Sequence, residues 1–213
     1  VDWELDERNT LSVRDNFMHF AQLNDLVNTA PSGPGDFLSS GGPYETDANS
    51  VAGSLTSAFS GTLTNELRAQ WAFEDKPRMA NPAGGFGVPL PQVVINNIGS
   101  EGRTIGTTVI FGSVPPLHAN HLWTRTLELI DNVRWTRGAH TLKVGVNANR
   151  VHVRNDFFFN SLGTFTYASL TAFERNQPTS FMRALPYVDS TGRSRGNPVA
   201  DFVAWDGAAY VQD

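Results

Sequence analysis

The side chains able to hold a metal or move a proton are few. The chain contains five histidines and no cysteine, so thiolate ligands and disulfides are excluded and any metal site has to use imidazole and carboxylate. His118 and His121 form a His-x-x-His pair. Two such rings share a face on a helix, but Pro115 and Pro116 stand just upstream and oppose one, and no carboxylate follows at helical spacing. The pair is therefore expected to be loop histidines, with no metal. His140 sits at a turn and His152 in a strand pattern, and neither accompanies a recognisable nucleophile motif. Gly84, Gly85 and Gly87 lack the Lys-Ser/Thr that completes a phosphate-binding loop and read as a flexible connection. No catalytic constellation emerges, and the expectation is a protein that is not an enzyme and needs no cofactor.

A second set of polar residues stands out by its spacing. Arg68, Gln70 and Glu74 alternate with Leu67, Ala69, Trp71 and Phe73; Glu128, Asn132 and Arg134 alternate with Leu127, Leu129, Val133 and Trp135; Lys143, Asn147 and Asn149 alternate with Leu142, Val144, Val146 and Ala148. Side chains alternate across a strand with period two, so each stretch has one apolar face and one face of charges and amides. A soluble core strand rarely needs so long a polar face. In a membrane barrel that face lines the lumen, where charges and amides hold one another. These nine residues are the lumen-facing candidates, and no ligand contact is assigned to any of them.

Positioning them requires long strands. Composition agrees: 19 Gly, 12 Pro, 11 % aromatic and only 17 % charged residues favour strands and irregular loops over helices. No apolar run reaches the length of about 18 residues that a transmembrane helix needs. A net charge of -5 argues against nucleic-acid binding, which calls for a basic patch. Strand patterns begin at Val1, Thr10, Val51, Leu67, Leu122, His140, Gly163 and Val199. Alternation fades over Met18 to Leu23, and a Pro-, Gly- and Ser-rich loop is expected from Asp25 to Asn49. A second long connection runs from Asn81 to His121, with short extended pieces at Val93–Ile98 and Thr107–Phe111. Ser169 to Asn176 gives the one helical signal, capped by Ser169 and ended before Pro178.

Short polar turns at Asp6–Asn9, Thr62–Glu66 and Thr136–His140 alternate with very long connections. Antiparallel strands joined in that way put every short turn on one rim and every long loop on the other, the asymmetry of an outer-membrane barrel. Trp3, Trp71, Trp123, Trp135 and Tyr167 are candidates for its aromatic girdles. The run Phe157–Phe159 reads equally as girdle, folded loop or ligand platform.

The segment Asp131-Asn132-Val133-Arg134-Trp135-Thr136-Arg137-Gly138-Ala139-His140-Thr141-Leu142-Lys143-Val144-Gly145 resembles a hairpin of TonB-dependent outer-membrane receptors, most of all their Oar-like group. Gly163–Tyr167, Leu170–Pro178, Gly196-Asn197-Pro198 and Tyr210–Asp213 are similar to pieces that follow in that family. The resemblance implies a plugged barrel of about 22 strands, importing an extracellular substrate with energy from TonB. It implies as partners outer-membrane lipid, a plug domain, the TonB complex and an unidentified substrate, and it carries over no binding residue.

The expectation is an all-β, antiparallel transmembrane barrel in the bacterial outer membrane. Residues 1–213 form an incomplete open segment of about 7–9 strands with long loops on one rim, without plug or remaining strands. The alternative is a secreted or surface β-sandwich that binds glycans through aromatic loop residues.

Overall fold

The computed structural model describes residues 1–25, 40–81, 88–99, 107–118, 120–186, 188–193, 196 and 198–213. Gly84, Gly85 and Gly87 lie outside them.

Six long strands and the short β1 form one antiparallel sheet: β1 (Asp2–Asp6), β2 (Asn9–Asp25), β3 (Gly42–Ser60), β4 (Leu63–Arg78), β7 (Asn120–Arg137), β8 (His140–Phe157) and β11 (Val199–Gln212). They are hydrogen-bonded in that order, and β1 and β11 are unpaired edges, so the sheet does not close. The register is unbroken from β4 through β7 and β8 to β11, and shifts only near the strand ends in the β1–β2, β2–β3 and β3–β4 ladders. Trp71 faces Val51 on β3 and Leu127 on β7, and Leu127 faces Arg150, which faces Trp205. Because paired residues share a face, these ladders give the sheet one apolar side and one polar side.

Two-residue turns at 7–8, 61–62 and 138–139 close the hairpins on one rim. The first is held by Asp6, whose carboxylate accepts the Arg8 amide at 2.8 Å and the Asn9 side-chain amide at 2.8 and 2.9 Å. In the third, Gly138 takes a φ of 60°, a region that strains residues with a Cβ.

Two strands outrun the sequence expectation. β2 continues through Met18–Leu23 to Asp25, and β3 begins at Gly42 inside the stretch read as loop. Phe20 and Tyr44 occupy the polar side there and pack edge to face at 5.7 Å, which erases the binary pattern while backbone pairing continues. Residues 26–39 of that expected loop lie outside the described residues.

The connections on the opposite rim build a structure of their own. Strands β5 (Gln92–Ile98), β6 (Thr107–Phe111), β9 (Thr164–Tyr167) and β10 (Ser180–Met182) form a second sheet in the order β10-β9-β5-β6, with β5 and β9 parallel. Helix α1 (Leu170–Glu174) packs beside it, its first turn capped by Ser169 Oγ accepting the Ala172 amide at 3.1 Å. The buried apolar residues Ala80, Ile95, Val114, Leu117, Phe158 and Tyr167 all belong to these connections, and Leu117 is only 1 % exposed. The molecule's packed core thus sits in the loops, whereas the apolar side of the long sheet is open.

Candidate functional site

The nine candidates Arg68, Gln70, Glu74, Glu128, Asn132, Arg134, Lys143, Asn147 and Asn149 all stand on the polar side of the long sheet. Several bind one another or their neighbours. Gln70 donates to Ser50 Oγ at 3.0 Å, Asn147 to Glu128 Oε1 at 3.1 Å, and Tyr210 to Asn132 Oδ1 at 2.9 Å. Arg68 reaches Glu66 at 2.6 Å and Lys76 reaches Glu74 at 2.6 Å. A groove of about 450 Å³ opens on this side, lined by Ser12, Arg14, Arg68, Gln70, Glu128 and Ile130 among others. The lining comes from β2, β3, β4 and β7 and mixes the charged and amide side chains with Ala52, Ala69 and Ile130.

The charge balance is incomplete. Arg134 and Lys143 are directly opposite on β7 and β8, and among the described residues neither has a carboxylate partner. Arg14 is likewise unpaired there. Like charges facing across a ladder repel by a few tenths of a kcal/mol to about 1 kcal/mol, so this surface favours an anionic occupant.

The loop sheet is tied by two side chains. Asn160, 2 % exposed with φ of 56°, donates through Nδ2 to the Met182 carbonyl at 3.0 Å and accepts from Thr164 Oγ1 at 3.0 Å. Its backbone N–H bonds the Pro115 carbonyl at 3.3 Å and its carbonyl accepts the Ala184 amide at 3.1 Å. One residue therefore fastens the 79–119 connection to the 158–198 connection. His118 does the same a few residues away: Nε2 donates to the Ser113 carbonyl at 2.8 Å, and Nδ1 accepts the Leu162 amide at 3.2 Å. That arrangement requires the neutral ring. Burial pushes the imidazole below its ordinary pKa, opposed by the Ser113 bond.

His118 and His121 are accordingly not a pair. His121 lies on the apolar side of the long sheet and bonds Asp75, while His118 is a loop staple. His152 pairs with Asp201 at 2.7 Å and His140 with Asp213 at 2.9 Å. Among the described residues no group of three or more His, Asp or Glu is arranged to hold a metal. Asn160 was not among the sequence candidates; its one local signal is an asparagine, tolerant of positive φ, directly after an aromatic run.

A family model described as outer membrane beta barrel domain matches residues 1–213. The chain belongs to that family. No curated protein and no solved structure matches it. An outer membrane beta barrel domain resides in the bacterial outer membrane, presenting its apolar side to lipid, its short turns to the periplasm and its long loops outward. This barrel domain does so with Leu67, Leu127, Leu129, Val144 and Val146, each more than a third exposed. The sandwich alternative would bury that side against a second sheet, whereas the second sheet here is four short strands made by the loops.

Of the girdle candidates, Trp3, Trp71, Trp123 and Trp135 stand on the lipid side, and Trp205 joins them. Tyr167 does not. It is buried in the loop sheet, edge-on to Phe173 at 5.2 Å, with its hydroxyl 3.3 Å from Asn176 Oδ1. Of the Phe157–Phe159 run, Phe158 is buried in the loop core and Phe159 is exposed. On β7 the apolar band of the lipid side is interrupted by Asp131, which the Asn65 side-chain amide caps from β4.

Proposed function

We propose that this barrel domain is the wall of a TonB-energised uptake receptor of the Oar-like group. The polar side lines the lumen and holds a plug domain. The loop sheet recognises an extracellular substrate, and TonB acts through a region outside the barrel. The reading is non-enzymatic and needs no cofactor. The observation that supports it best is the cationic pair Arg134 and Lys143, facing each other with no carboxylate partner among the described residues, on a side where Gln70, Asn147 and Tyr210 hydrogen-bond to their neighbours. A water-filled pore would leave that repulsion in place, whereas carboxylates on a plug would relieve it.

The intact protein in a planar bilayer should conduct very little, and the R134Q/K143Q variant should open more often as the plug loosens. Cells lacking TonB should lose uptake of any solute that this protein alone admits. Steady conductance by the unsubstituted protein, with uptake indifferent to TonB, would replace the receptor by a passive pore.

A further inference from the structure

On the lipid side the register fixes height as well as direction. Trp135 lies next to the periplasmic turn, and a tilted strand needs about 9–11 residues to cross the hydrocarbon. Counting nine residues up β7 from Trp135 reaches Leu127, and eleven reach Arg125; counting nine up β8 from Leu142, the partner of Trp135, reaches Arg150. Both arginines therefore emerge where the outer leaflet's headgroups begin. Below them the lipid-side positions of β7 and β8 are apolar apart from the capped Asp131.

These two guanidiniums are also chemically unsatisfied. Arg125 stands opposite His152, and Arg150 opposite Leu127, so the two are diagonal neighbours on β7 and β8 with Cα atoms about 7–8 Å apart. Each is laid against an indole: Arg125 lies 4.2 Å from the Trp123 ring centre and Arg150 lies 5.8 Å from that of Trp205. Among the described residues neither has an ion-pair partner. The carboxylates above them are engaged elsewhere, Asp75 with His121, Asp201 with His152 and Asp156 with Arg154. A cation–π contact, close for Arg125 and looser for Arg150, uses the ring face and leaves guanidinium N–H groups available to a phosphate. A charge held at this depth without a counter-ion is costly unless something anionic meets it.

We propose that Arg125 and Arg150 form a site on the outer wall for the phosphate of an anionic lipid headgroup in the outer leaflet. Lipid is the source because the site faces away from the lumen and is continuous with the apolar band of Leu127, Leu129 and Val146. A phosphate that enters it thus brings its acyl chains onto that band. Trp123 and Trp205 flank the headgroup.

The test uses intact protein extracted from the outer membrane, stripped of lipid in mild detergent and reloaded with phosphorylated or dephosphorylated lipid A, with bound lipid counted by native mass spectrometry. The unsubstituted protein should retain the phosphorylated form preferentially. R125Q/R150Q should weaken that retention by about tenfold or more, the loss expected for charge-assisted bonds, whereas R154Q, whose arginine is paired with Asp156, should change it little. The heat-modified gel shift checks that each variant is folded. Equal retention of the two lipids by the unsubstituted protein, which no folding defect can explain, would overturn the proposal. So would undiminished retention by R125Q/R150Q, or full displacement by inorganic phosphate, which would make this a site for a soluble anion.

Discussion

The Tyr210 hydroxyl donates to Asn132 Oδ1 at 2.9 Å although a whole strand separates them. Tyr210 is on β11, Asn132 on β7, and the ring reaches across β8 at Gly145, the residue paired with both. Only glycine leaves that path open, since a Cβ there would lie 2.3 Å from the Tyr210 ring and 2.4 Å from the Asn132 oxygen. The bridge pins the register of three strands at once. Gly145→Val should therefore displace the ring and destabilise the sheet by about 1–3 kcal/mol, the range for overpacking, whereas Tyr210→Phe removes one hydrogen bond and about 1 kcal/mol. Urea titration of the barrel in lipid vesicles should rank the two variants in that order.

Asn160 makes a different kind of join, between segments rather than strands. Asn160→Ala abolishes the side-chain bonds to Met182 and Thr164 and leaves their polar groups without those partners. The expected cost, about 1–3 kcal/mol for each buried group left unsatisfied, falls on the loop sheet and not on the long strands. Limited proteolysis of intact cells should then cut within 158–198 of the variant at protease concentrations that spare the original, while the folded barrel's gel mobility stays the same.

The strands were legible from the sequence because period-two alternation is a local property: each of Arg68, Glu128 and Lys143 declares its side by its immediate neighbours. Pairing between distant segments leaves no such trace. Gln92 and Thr164 meet in the parallel β5–β9 ladder across 72 residues, and nothing near either one announces the other. For the same reason Tyr167, the last residue of a predicted strand, could be placed in a girdle from sequence although the fold buries it edge-on to Phe173. Where large rings invade the polar side, as at Phe20 and Tyr44, the alternation itself disappears and the strand ends are lost with it. That Arg125 stands without an ion pair among the described residues likewise needed the register, since Asp75 is its diagonal neighbour across the β4–β7 ladder and turns to His121 instead.

Opposed cations offer a sign-specific test of the lumen. Lys143→Glu supplies a carboxylate directly opposite Arg134 and should stabilise the empty barrel by a few tenths of a kcal/mol to about 1 kcal/mol. If those cations hold a plug, the same substitution weakens plug retention. Chemical denaturation and planar-bilayer conductance should thus move in opposite directions, toward a more stable wall and a leakier channel. A variant that gains stability without any change in conductance would separate the pair from plug binding.

Acid should loosen the loop sheet through His118. Its folded-state pKa lies below the ordinary histidine value of 6.5 because burial disfavours the cation, and its Nδ1 must stay unprotonated to accept the Leu162 amide. Below pH 6.5 the unfolded ring takes up a proton that the folded ring resists, so the unfolded state binds more protons and stability falls with falling pH. The contribution is complete above 6.5 and is lost progressively as pH drops toward the lowered folded value. Hydrogen exchange at the Leu162 and Ser113 amides should accelerate more between pH 7 and pH 5, after correction for intrinsic rates, than exchange in the β7–β8 ladder. His118→Gln keeps a polar side chain without the titration. The variant should exchange faster at neutral pH yet lose the extra acid dependence, and an acid dependence that survives it would assign the loosening to another group.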